Sequence, residues 1–554
     1  MPLVHFTHQN RIVEIPERRS LLTAIKRAGI AFDLPCDGAG ICGKCRVRLD
    51  AATRANAREA DHTKLTEADR AAGWSLACQT FVHGDLRVEV PNRKDEGLKI
   101  LSEGQAVAIA IDPWIAKSYD KVSGHTSVIA GGKVVASENG DTTAALYGAA
   151  IDIGTTTLVV ALVDLRDGRE LASASALNPQ ARHAQDVLSR IKLGSKPDGL
   201  RTLHTELIAE LNRLIAEAAT EAFVERSQIY EAVFSGNTTM LHLATGTDPA
   251  SLGRFPYTPK LWGGDHVSAA AIGLELAPAG IVYLPPVMSA YVGADITSGI
   301  LATDLAAQRG VTLFVDIGTN GEMVLAADGK LVATSTAAGP AFEGMNIACG
   351  MRAGRGAIEF VSLAGDEIAL RTIGETTATG LCGSGLLDVV GELAAHGGVD
   401  KNGRFRTNGS APDRLWKNRL VTLDGKPVFR LTEAVYLSQK DIRQVQLAKA
   451  AVRTGIEFLL TASGRTMAQV DRVLIAGSFG FHLRTASLIH LGLLPREFAD
   501  RVEFVGNTSK TGARAFLLNR HAREKLQHTV GQVRVLELAN DAAFQRTFVE
   551  ALSF

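Results

Sequence analysis

The stretch Pro35-Cys36-Asp37-Gly38-Ala39-Gly40-Ile41-Cys42-Gly43-Lys44-Cys45 decides the fold of the N-terminal part of the chain. Three cysteines lie on this one glycine-rich loop, and a fourth follows within Leu76-Ala77-Cys78-Gln79. Glycine permits positive φ angles and lets backbone N–H groups come close to sulfur. Three thiolates on such a loop, joined by a fourth from a distant strand, can enclose a two-iron, two-sulfur cluster. The spacing therefore predicts a [2Fe-2S] cluster with four ligands: Cys36, Cys42, Cys45 and Cys78.

Zinc and disulfide bonds are the alternative uses of these cysteines. A zinc site built from cysteines alone normally has two close C-x2-C pairs, whereas here three cysteines are grouped and one is distant. Disulfides are disfavoured because residues 1–5 show no secretory signal and cytosolic thiols stay reduced. The gap between the first two cysteines is one residue longer than in plant-type ferredoxins. In this it resembles the adrenodoxin-like branch of the [2Fe-2S] ferredoxins.

The composition indicates a globular protein of several domains. The chain has 554 residues, of which 46% are hydrophobic and 21% are charged. Lysine plus arginine and aspartate plus glutamate are equal at 59 each, so no basic field favours nucleic acid. The longest apolar run, 281–301, is interrupted by Pro285, Pro286 and Asp295 and is a poor membrane span. We expect a cytoplasmic protein with no nucleic-acid or membrane partner.

Turn signals and apolar patterns divide the chain into four predicted domains. Residues 1–92 form a ferredoxin-like domain with a helical stretch at 21–28, and the polar turn at 91–97 marks its end. Short apolar runs in 93–146 predict a linker domain. A middle domain at 147–308 and a C-terminal domain at 309–554 complete the chain.

An internal repeat relates the last two domains. Ile151-Asp152-Ile153-Gly154-Thr155-Thr156-Thr157 and Val315-Asp316-Ile317-Gly318-Thr319-Asn320-Gly321 are separated by about one domain length. In each copy an apolar strand reaches Asp-x-Gly-Thr, turns tightly and continues as the second strand of a hairpin. Helical patterns follow both copies, at 203–222 and at 442–460. The sequence predicts two α/β lobes related by duplication.

The repeated turns have the chemistry of a phosphate site. Glycine and hydroxyl residues at a strand end expose backbone N–H groups to phosphate oxygens, and a nearby aspartate can hold hydrated Mg²⁺ or orient a water. Asp152 and Asp316 are the candidate catalytic residues, and their individual roles stay unassigned. A plain hairpin, or a strand-to-helix turn at 477–480, is the structural alternative. The candidate nucleotide-binding residues are Gly154, Thr155, Thr156, Gly318, Thr319, Asn320, Gly477, Ser478 and Gly480.

This combination resembles the superfamily of acetate and sugar kinases, heat-shock chaperones and actin. Residues 152–157 match its phosphate-1 element, 316–321 its phosphate-2 element, and 477–480 its adenosine element. No Walker A motif is present, so a P-loop fold has no support. The resemblance implies a multidomain α+β and α/β protein: a β-grasp ferredoxin domain followed by duplicated actin-like lobes.

Further motifs narrow the resemblance to the reductive activators of corrinoid-dependent enzymes. They are Asn178-Pro179-Gln180, Ser235-Gly236-Asn237-Thr238-Thr239-Met240, Pro285-Pro286 with Ser289-Ala290-Tyr291-Val292-Gly293-Ala294-Asp295, Ala338-Gly339-Pro340-Ala341-Phe342-Glu343-Gly344, Leu381-Cys382-Gly383-Ser384-Gly385 and Gly506-Asn507-Thr508. The chain lacks a C-terminal cysteine cluster, so it resembles the bacterial, two-iron branch. The resemblance covers essentially the whole chain.

The resemblance implies ATP-driven transfer of one electron from the [2Fe-2S] cluster to an inactive Co(II) corrinoid, which restores Co(I). ATP and Mg²⁺ would be cofactors. The partner would be a corrinoid-binding protein or a corrinoid-dependent methyltransferase, with a reductase or ferredoxin as the upstream electron donor. A homodimer through the ATPase domain is implied by the family alone.

Three other functions fit parts of the pattern. A metabolite kinase could carry the ferredoxin domain as a redox sensor. An electron carrier could use the lobes as a scaffold, although a scaffold needs neither Asp152 nor Asp316. An activator could also serve a non-corrinoid client. Cys349 and Cys382 are too few for a second cluster, and we predict them to be buried free thiols.

Overall fold

The structure is a computed structural model that describes residues 1–28, 30, 45–60, 65–90, 99–102, 105–108, 110–351, 353–364, 367–406, 418–477, 483–538 and 541–554. The chain divides into two compact units. The first comprises Met1–Leu101, Gln105–Thr303 and Ser509–Gly531. The second comprises Ser102–Gly104, Asp304–Thr508 and Gln532–Phe554.

The N-terminal part of the first unit is a five-stranded mixed sheet with the order β2-β1-β7-β3-β5. Strands β1 and β7 are parallel, and the other neighbours are antiparallel. The alternation of buried and exposed residues in β3 and β7 shows that one face of each strand packs on the core. The elements are β1 (Leu3–Phe6), β2 (Arg11–Glu14), α1 (Leu21–Arg27), β3 (Arg46–Leu49), β4 (Ala57–Glu59), α2 (Glu67–Ala71), β5 (Trp74–Leu76), β6 (Thr80–Val82) and β7 (Leu86–Glu89).

Helix α1 covers the sheet with one apolar stripe. Leu21, Ala24, Ile25 and Ala28 recur at three- and four-residue spacing and are buried. They pack in one cluster with apolar residues of the strands, and Cys45 and Cys78 belong to the same cluster. The cysteine pair is therefore part of the core of this region.

A small antiparallel sheet comes next along the chain, and charged and aromatic side chains connect it to the domain that follows. Trp114 stacks under Arg523, whose guanidinium lies 5.5 Å from the ring and 2.8 Å from the buried Glu231. Tyr230 donates to Glu138 at 2.5 Å. The strands of this sheet are β10 (Ile115–Asp120), β11 (His125–Ala130) and β12 (Lys133–Asn139), and a separate two-stranded sheet of β8 (Lys99–Ser102) and β9 (Gln105–Ala108) precedes it.

A six-stranded sheet with the order β15-β14-β13-β16-β18-β17 forms the rest of the first unit. Strands β13, β14 and β15 form an antiparallel meander, whereas β13, β16 and β18 are parallel. The strands are β13 (Tyr147–Ile153), β14 (Thr157–Asp164), β15 (Glu170–Leu177), β16 (Ile229–Gly236), β17 (Asp265–Ser268) and β18 (Ile281–Leu284). All eight residues of β16 are buried, as expected for the centre of a sheet that is covered on both faces.

Helices cover this sheet. The long helix predicted at 203–222 is present and starts earlier, at Pro197, because proline is tolerated in the first turn of a helix. Asp186 and Asn237 cap two of the other helices with their side chains. The helices are α3 (Val187–Gly194), α4 (Pro197–Ala222), α5 (Thr238–Ala244), α6 (Ala294–Ala302), α10 (Thr508–Leu518) and α11 (Arg520–Val530).

The second unit contains a sheet in which five strands repeat the order of the first sheet. Its order is β29-β28-β19-β20-β21-β30, with an antiparallel β19-β20-β21 meander and parallel β19, β28 and β29. The strands are β19 (Thr312–Ile317), β20 (Gly321–Ala327), β21 (Lys330–Thr336), β28 (Arg472–Ala476), β29 (Val502–Gly506) and β30 (Arg534–Leu536). The shared order and direction of five strands confirm the predicted duplication and fold class, whereas the sixth strand differs: β17 pairs antiparallel with β18 in the first sheet, and β30 pairs parallel with β21 in the second.

The second unit also has a large insertion between β21 and β28. It comprises β22 (Ala357–Ala364), β23 (Glu367–Thr372), β24 (Gly380–Leu381), α7 (Gly383–Ala395), β25 (Leu420–Leu423), β26 (Lys426–Arg430), β27 (Tyr436–Ser438) and α8 (Gln439–Ala462). Helix α8 contains the predicted stretch 442–460, and a capping box between Ser438 and Asp441 fixes its start. The remaining helices are α9 (Thr485–His490) and α12 (Phe544–Ala551).

Among the described residues, no helix has both the length and the apolar character that crossing a membrane requires.

A buried lysine lies in the core of the second unit. Lys449 of α8 is 1% exposed, donates a hydrogen bond to the carbonyl oxygen of Ser553, and lies 5.3 Å from the centroid of the Phe554 ring. Burial, with a smaller contribution from the positive charge of Arg453, lowers the pKa of the Lys449 amine to about 7.

This lowered pKa predicts how stability changes with pH. The unfolded lysine titrates near 10.5, so folding releases a proton between pH 7 and pH 10.5, and the folded state gains stability as pH rises through that window. Lys449→Met removes this dependence. In thermal unfolding at pH 7, 8, 9 and 10, the Tm of the wild type should rise relative to that of the variant at each step. A difference in Tm that is constant with pH would contradict the assignment.

Candidate functional site

The pairing of two short strands brings Cys45 and Cys78 together. Cys45 immediately precedes β3 and Cys78 follows β5, and Arg46 of β3 pairs with Leu76 of β5. The N–H of Ala77 donates to the carbonyl of Cys45 at 2.8 Å. As a result, the two sulfur atoms are 3.2 Å apart, and the cysteines are 1% and 8% exposed.

This geometry fits a metal-bound pair of thiolates. A disulfide requires about 2.05 Å between the sulfur atoms, so Cys45 and Cys78 are not bonded to each other. Two buried thiolates in contact match half of the cysteine set that holds an iron–sulfur cluster. Cys36 and Cys42, the other two predicted ligands, lie outside the described residues.

The first Asp-x-Gly-Thr turn joins β13 to β14. Asp152 is the penultimate residue of β13 and lies beside Ser235 of the parallel strand β16. Gly154 donates its N–H to the carbonyl of Thr157 at 3.0 Å, and a Cβ at this position would lie 2.5 Å from that oxygen. Only glycine therefore closes this turn.

The second turn joins β19 to β20. Asp316 occupies the same place in β19 and pairs with Ala476 of β28. The N–H of Gly318 donates to the carbonyl of Asn320 at 2.9 Å, one residue earlier than in the first turn. The Thr319 hydroxyl donates to the Glu343 carboxylate at 2.6 Å, so Glu343 orients a side chain that is predicted to bind phosphate.

Each aspartate has a glycine of the neighbouring parallel strand beside it. Gly477 follows β28 with a φ of +122°, and a Cβ there would lie 2.5 Å from the carbonyl oxygen of Ile317. In the first lobe the same place is taken by Gly236, whose Cβ would lie 2.6 Å from the carbonyl oxygen of Ile153. The segment Ser235-Gly236-Asn237 is thus the counterpart of the predicted adenosine element. Ser478 and Gly480 lie outside the described residues.

Sequence reasoning missed a second carboxylate in the first lobe. Asp295 lies in the first turn of α6, the helix that follows β18. Burial, together with the negative charge of Asp152, raises the pKa of Asp295 to about 7. The strand directions explain the approach: β13 and β18 are parallel, so the residues after their carboxyl ends lie at one edge of the sheet, and no local sequence pattern shows this.

Hydroxyl groups link Asp152 to the neighbouring helices. Ser509 of α10 donates to Asp152 at 2.7 Å and is 2.8 Å from Ser235. Ser235 in turn donates to Ser298 of α6 at 2.8 Å. The Asp152 carboxylate is therefore held by a chain of hydrogen bonds that spans β16, α6 and α10.

The two remaining cysteines differ from each other. Cys382 is buried, as predicted, and contacts the carbonyl of Ile358 at 3.2 Å. Cys349 is partly exposed, so its predicted burial was wrong. It lies in a turn, where the backbone N–H of Tyr436 donates to the sulfur at 3.5 Å. Burial raises the pKa of both thiols.

Taken together, a buried cysteine pair in a β-grasp domain and two duplicated Asp-x-Gly-Thr lobes define a redox protein with an actin-like ATPase fold. Three family models match the chain in the same order. Residues 4–83 match the 2Fe-2S iron-sulfur cluster binding domain, 147–308 match the RACo middle region, and 310–554 match the C-terminal domain of RACo, the ASKHA domain.

Individual proteins of known name are similar over most of the chain. The corrinoid activation enzyme RamQ of Eubacterium limosum is 33% identical over 73% of this chain and 70% of its own length. The [Co(II) methylated amine-specific corrinoid protein] reductase of Methanosarcina barkeri is 24% identical over 74% of this chain and 77% of its own. The solved structure of a reductive activator for corrinoid, iron-sulfur protein matches with a TM-score of 0.75 and 32% identity, covering 100% of this chain and 98% of that one. The chain belongs to the family of reductive activators of corrinoid proteins.

The raised pKa of Asp295 predicts a pH-dependent cost in stability. Its folded pKa of about 7 lies above the unfolded value of 3.8, so the folded state loses stability as pH rises from about 4 to about 7. Asp295→Asn avoids this loss and should unfold at a higher temperature than the wild type at pH 8. The gain should shrink as pH falls towards 4.

Thermal unfolding between pH 5 and pH 8 measures this difference. Glu217→Gln, an exposed carboxylate on α4, is the control and should change Tm little at any pH. An Asp295→Asn variant that is less stable than the wild type at pH 8 would contradict the proposed environment of this carboxylate.

Proposed function

We propose that this chain is an ATP-dependent reductive activator that transfers one electron from its [2Fe-2S] cluster to the Co(II) form of a corrinoid-binding protein or methyltransferase and so restores Co(I). One observation carries the proposal: a single chain combines the buried Cys45–Cys78 pair with two Asp-x-Gly-Thr hairpins and matches a reductive activator over its full length. The proposal accounts for both parts of the molecule.

The ferredoxin domain supplies the electron. Cys45 and Cys78, with Cys36 and Cys42, would hold the cluster, which when bound supplies single electrons near −400 mV for the plant type. Both described cysteines are buried in the apolar core of their domain, which limits contact with water. Burial of this kind is one of the factors that set the potential of an iron–sulfur site.

The need for ATP follows from the energetics of the transfer. Family resemblance implies that the Co(II)/Co(I) couple lies below the potential of the cluster. A gap of about 120 mV would make the equilibrium about 100-fold unfavourable for one electron. Hydrolysis of ATP can drive such a step when the hydrolysing lobes change the partner's cobalt coordination or release the product complex. A simple electron carrier has no such requirement.

The hairpin residues are proposed to bind the nucleotide. Thr155 and Thr156 would bind phosphate oxygens on the turn that Gly154 closes, and Thr319 and Asn320 would do so on the turn that Gly318 closes. Gly477, Ser478 and Gly480 would contact the adenosine. Asp152 and Asp316 would position Mg²⁺ and the attacking water. The hydrogen bond from Ser509 to Asp152 supports a fixed carboxylate, which such positioning requires.

Other features of the proposal rest on the family. A reductase or ferredoxin would reduce the cluster, and the ATPase domain would form a homodimer. Two alternatives keep the same fold: a metabolite kinase, and an activator of a non-corrinoid client. A stoichiometric phosphorylated product would favour the kinase. Capture of partners in the presence of ATP would identify a cobalamin-bearing protein or a different client.

Serine replacement tests the cluster ligands. Cys45→Ser should abolish the visible absorbance of the [2Fe-2S] cluster after anaerobic reconstitution, because a hydroxyl is a poor substitute for a thiolate on iron. Cys382→Ser is the matched control, since Cys382 is also buried but lies in the other unit. The control should retain the full iron content. Equal iron loss in both variants would count against the assignment.

Asparagine replacement tests the ATPase role. Asp316→Asn should lower ATP hydrolysis, and with it the ATP-dependent formation of Co(I), by roughly 10²-fold or more, because a neutral amide cannot hold Mg²⁺ or orient water as a carboxylate does. Formation of Co(I) is followed by its absorbance with a Co(II) corrinoid protein as substrate.

The same strand system provides a control for that experiment. Asp328 lies in the exposed turn between β20 and β21 with a φ of +51°, a conformation that asparagine also adopts. Asp328→Asn should hydrolyse ATP at the wild-type rate. Hydrolysis that survives Asp316→Asn unchanged would refute the role given to Asp316.

A further inference from the structure

A buried arginine stands directly behind the first Asp-x-Gly-Thr turn. Arg190 of α3 is 0% exposed and is the largest of the fully buried side chains in the described part of the chain. Its guanidinium donates to the carbonyl oxygen of Thr155 at 2.6 Å. It also donates to the carbonyl of Ala184 at 3.0 Å and to the side-chain oxygen of Gln180 at 3.1 Å, and it contacts the sulfur of Met240 at 3.2 Å.

Asn178 holds the same turn from the same side. Its side-chain amide donates to the carbonyl of Gly154 at 2.9 Å, and its backbone N–H donates to the carbonyl of Thr156 at 2.9 Å. With the bond from Arg190 included, buried donors bind three successive carbonyl groups of the turn, those of residues 154, 155 and 156. Asn178 is 1% exposed, so water does not compete for these bonds.

Asn237 holds the side chain of the central threonine. Its amide nitrogen donates to the hydroxyl oxygen of Thr155 at 3.0 Å, and its carbonyl oxygen caps α5 by accepting from Met240 at 3.0 Å. A hydroxyl that accepts one hydrogen bond keeps its own proton for another acceptor. The Thr155 hydroxyl is thereby set up to donate.

These bonds decide which face of the turn a ligand meets. Carbonyl oxygens repel phosphate oxygens, so a turn binds phosphate only when its carbonyls point away and its N–H groups point towards the ligand. Here the carbonyls of Gly154, Thr155 and Thr156 are all committed to interior donors. This arrangement requires a buried guanidinium, which costs stability because its charge is removed from water. Replacing a buried ion pair by a well-packed apolar side chain of similar size often makes a protein more stable. A requirement of function explains the arginine better than stability does.

We propose that Arg190, supported by Asn178 and Asn237, is a positioning residue that fixes the turn at 154–156 in its phosphate-binding conformation. The inference rests on the proposed function, because it takes ATP to be the ligand of this turn. Arg190 itself acts from behind the turn, through the carbonyl of Thr155. The motifs Asn178-Pro179-Gln180 and Asn237-Thr238-Thr239-Met240 thereby gain a physical role.

Conservative variants of the full-length protein test the proposal. Arg190→Lys keeps the charge but loses the planar fork that reaches three oxygen acceptors. Asn178→Ser keeps an oxygen that can cap Gln180 but loses the donor to Gly154. Each should raise the Kd for Mg-ATP about tenfold or more. Without the hydrogen bond from the buried donor, the turn is no longer held in its phosphate-binding conformation. Isothermal titration calorimetry well below the Tm measures the Kd.

Arg523→Lys is the matched control. Arg523 is also buried in the first unit, at 5% exposure, and also donates to a backbone carbonyl, that of Phe516 at 2.8 Å and 3.0 Å. This variant should lower the Tm yet bind Mg-ATP within about twofold of the wild type. A purely structural role for Arg190 would give Arg190→Lys the same result.

The outcomes separate the inference from the function on which it rests. Folded Arg190→Lys and Asn178→Ser proteins that bind Mg-ATP within twofold of a wild type that binds it would overturn the inference and leave the proposed function standing. A wild type that does not bind Mg-ATP would overturn both. If Arg190→Lys fails to fold, Asn178→Ser decides alone, since it removes a bond to the turn without changing a buried charge.

Discussion

One close backbone approach in each lobe determines where its aspartate lies. The carbonyl oxygens of Ile153 and Ile317 occupy space that a side chain at Gly236 or Gly477 would need, with distances of 2.6 Å and 2.5 Å to the missing Cβ. Because these positions are glycine, the parallel strands β16 and β28 run beside the hairpins to their very ends. Ser235 therefore lies next to Asp152, and Ala476 lies next to Asp316. The other features of each site are built on this contact.

Charge in the first lobe is concentrated around the hairpin turn. Burial and the negative charge of Asp152 raise the pKa of Asp295, while the guanidinium of Arg190 is buried behind the turn. Each arrangement costs stability, because removing a charge from water is unfavourable. Proteins retain such costs where function needs them, and for Arg190 the proposed binding of phosphate by the turn supplies that need.

In the ferredoxin domain, the pairing of two strands is enough to bring two of the predicted cluster ligands together. The pairing of β3 with β5 brings the backbone of Cys45 to that of Ala77, and the sulfur atoms of Cys45 and Cys78 follow. Little more than one strand register is needed to assemble this half of the ligand set. The actin-like lobes instead assemble their sites from strand ends and helix starts that are far apart in the chain. Under the proposed function, the ferredoxin domain is the electron source and the lobes drive the uphill transfer.

The sequence by itself determined the parts whose signal is local. The cysteine spacing, the two Asp-x-Gly-Thr turns and the long helices α4 and α8 depend on neighbouring residues and on the periodicity of apolar side chains. The family resemblance could be recognised because these local motifs occur in a fixed order. The predicted roles of individual nucleotide residues, and the four domain boundaries, stay predictions.

Only the tertiary structure decided which distant residues meet. Asp295, Glu343 and Arg190 reach the hairpin turns through strand order and helix placement, and no local pattern marks them. The equivalence of Gly236 and Gly477 was hidden because the second lobe carries a large insertion between β21 and β28, which changes the spacing of the repeat. The partial exposure of Cys349 likewise depends on how its turn packs in the fold. Hydrogen bonds and excluded volume act between residues that are close in space, whatever their separation in the sequence. The two lobes therefore keep equivalent contacts although an insertion has changed the spacing of the residues that make them.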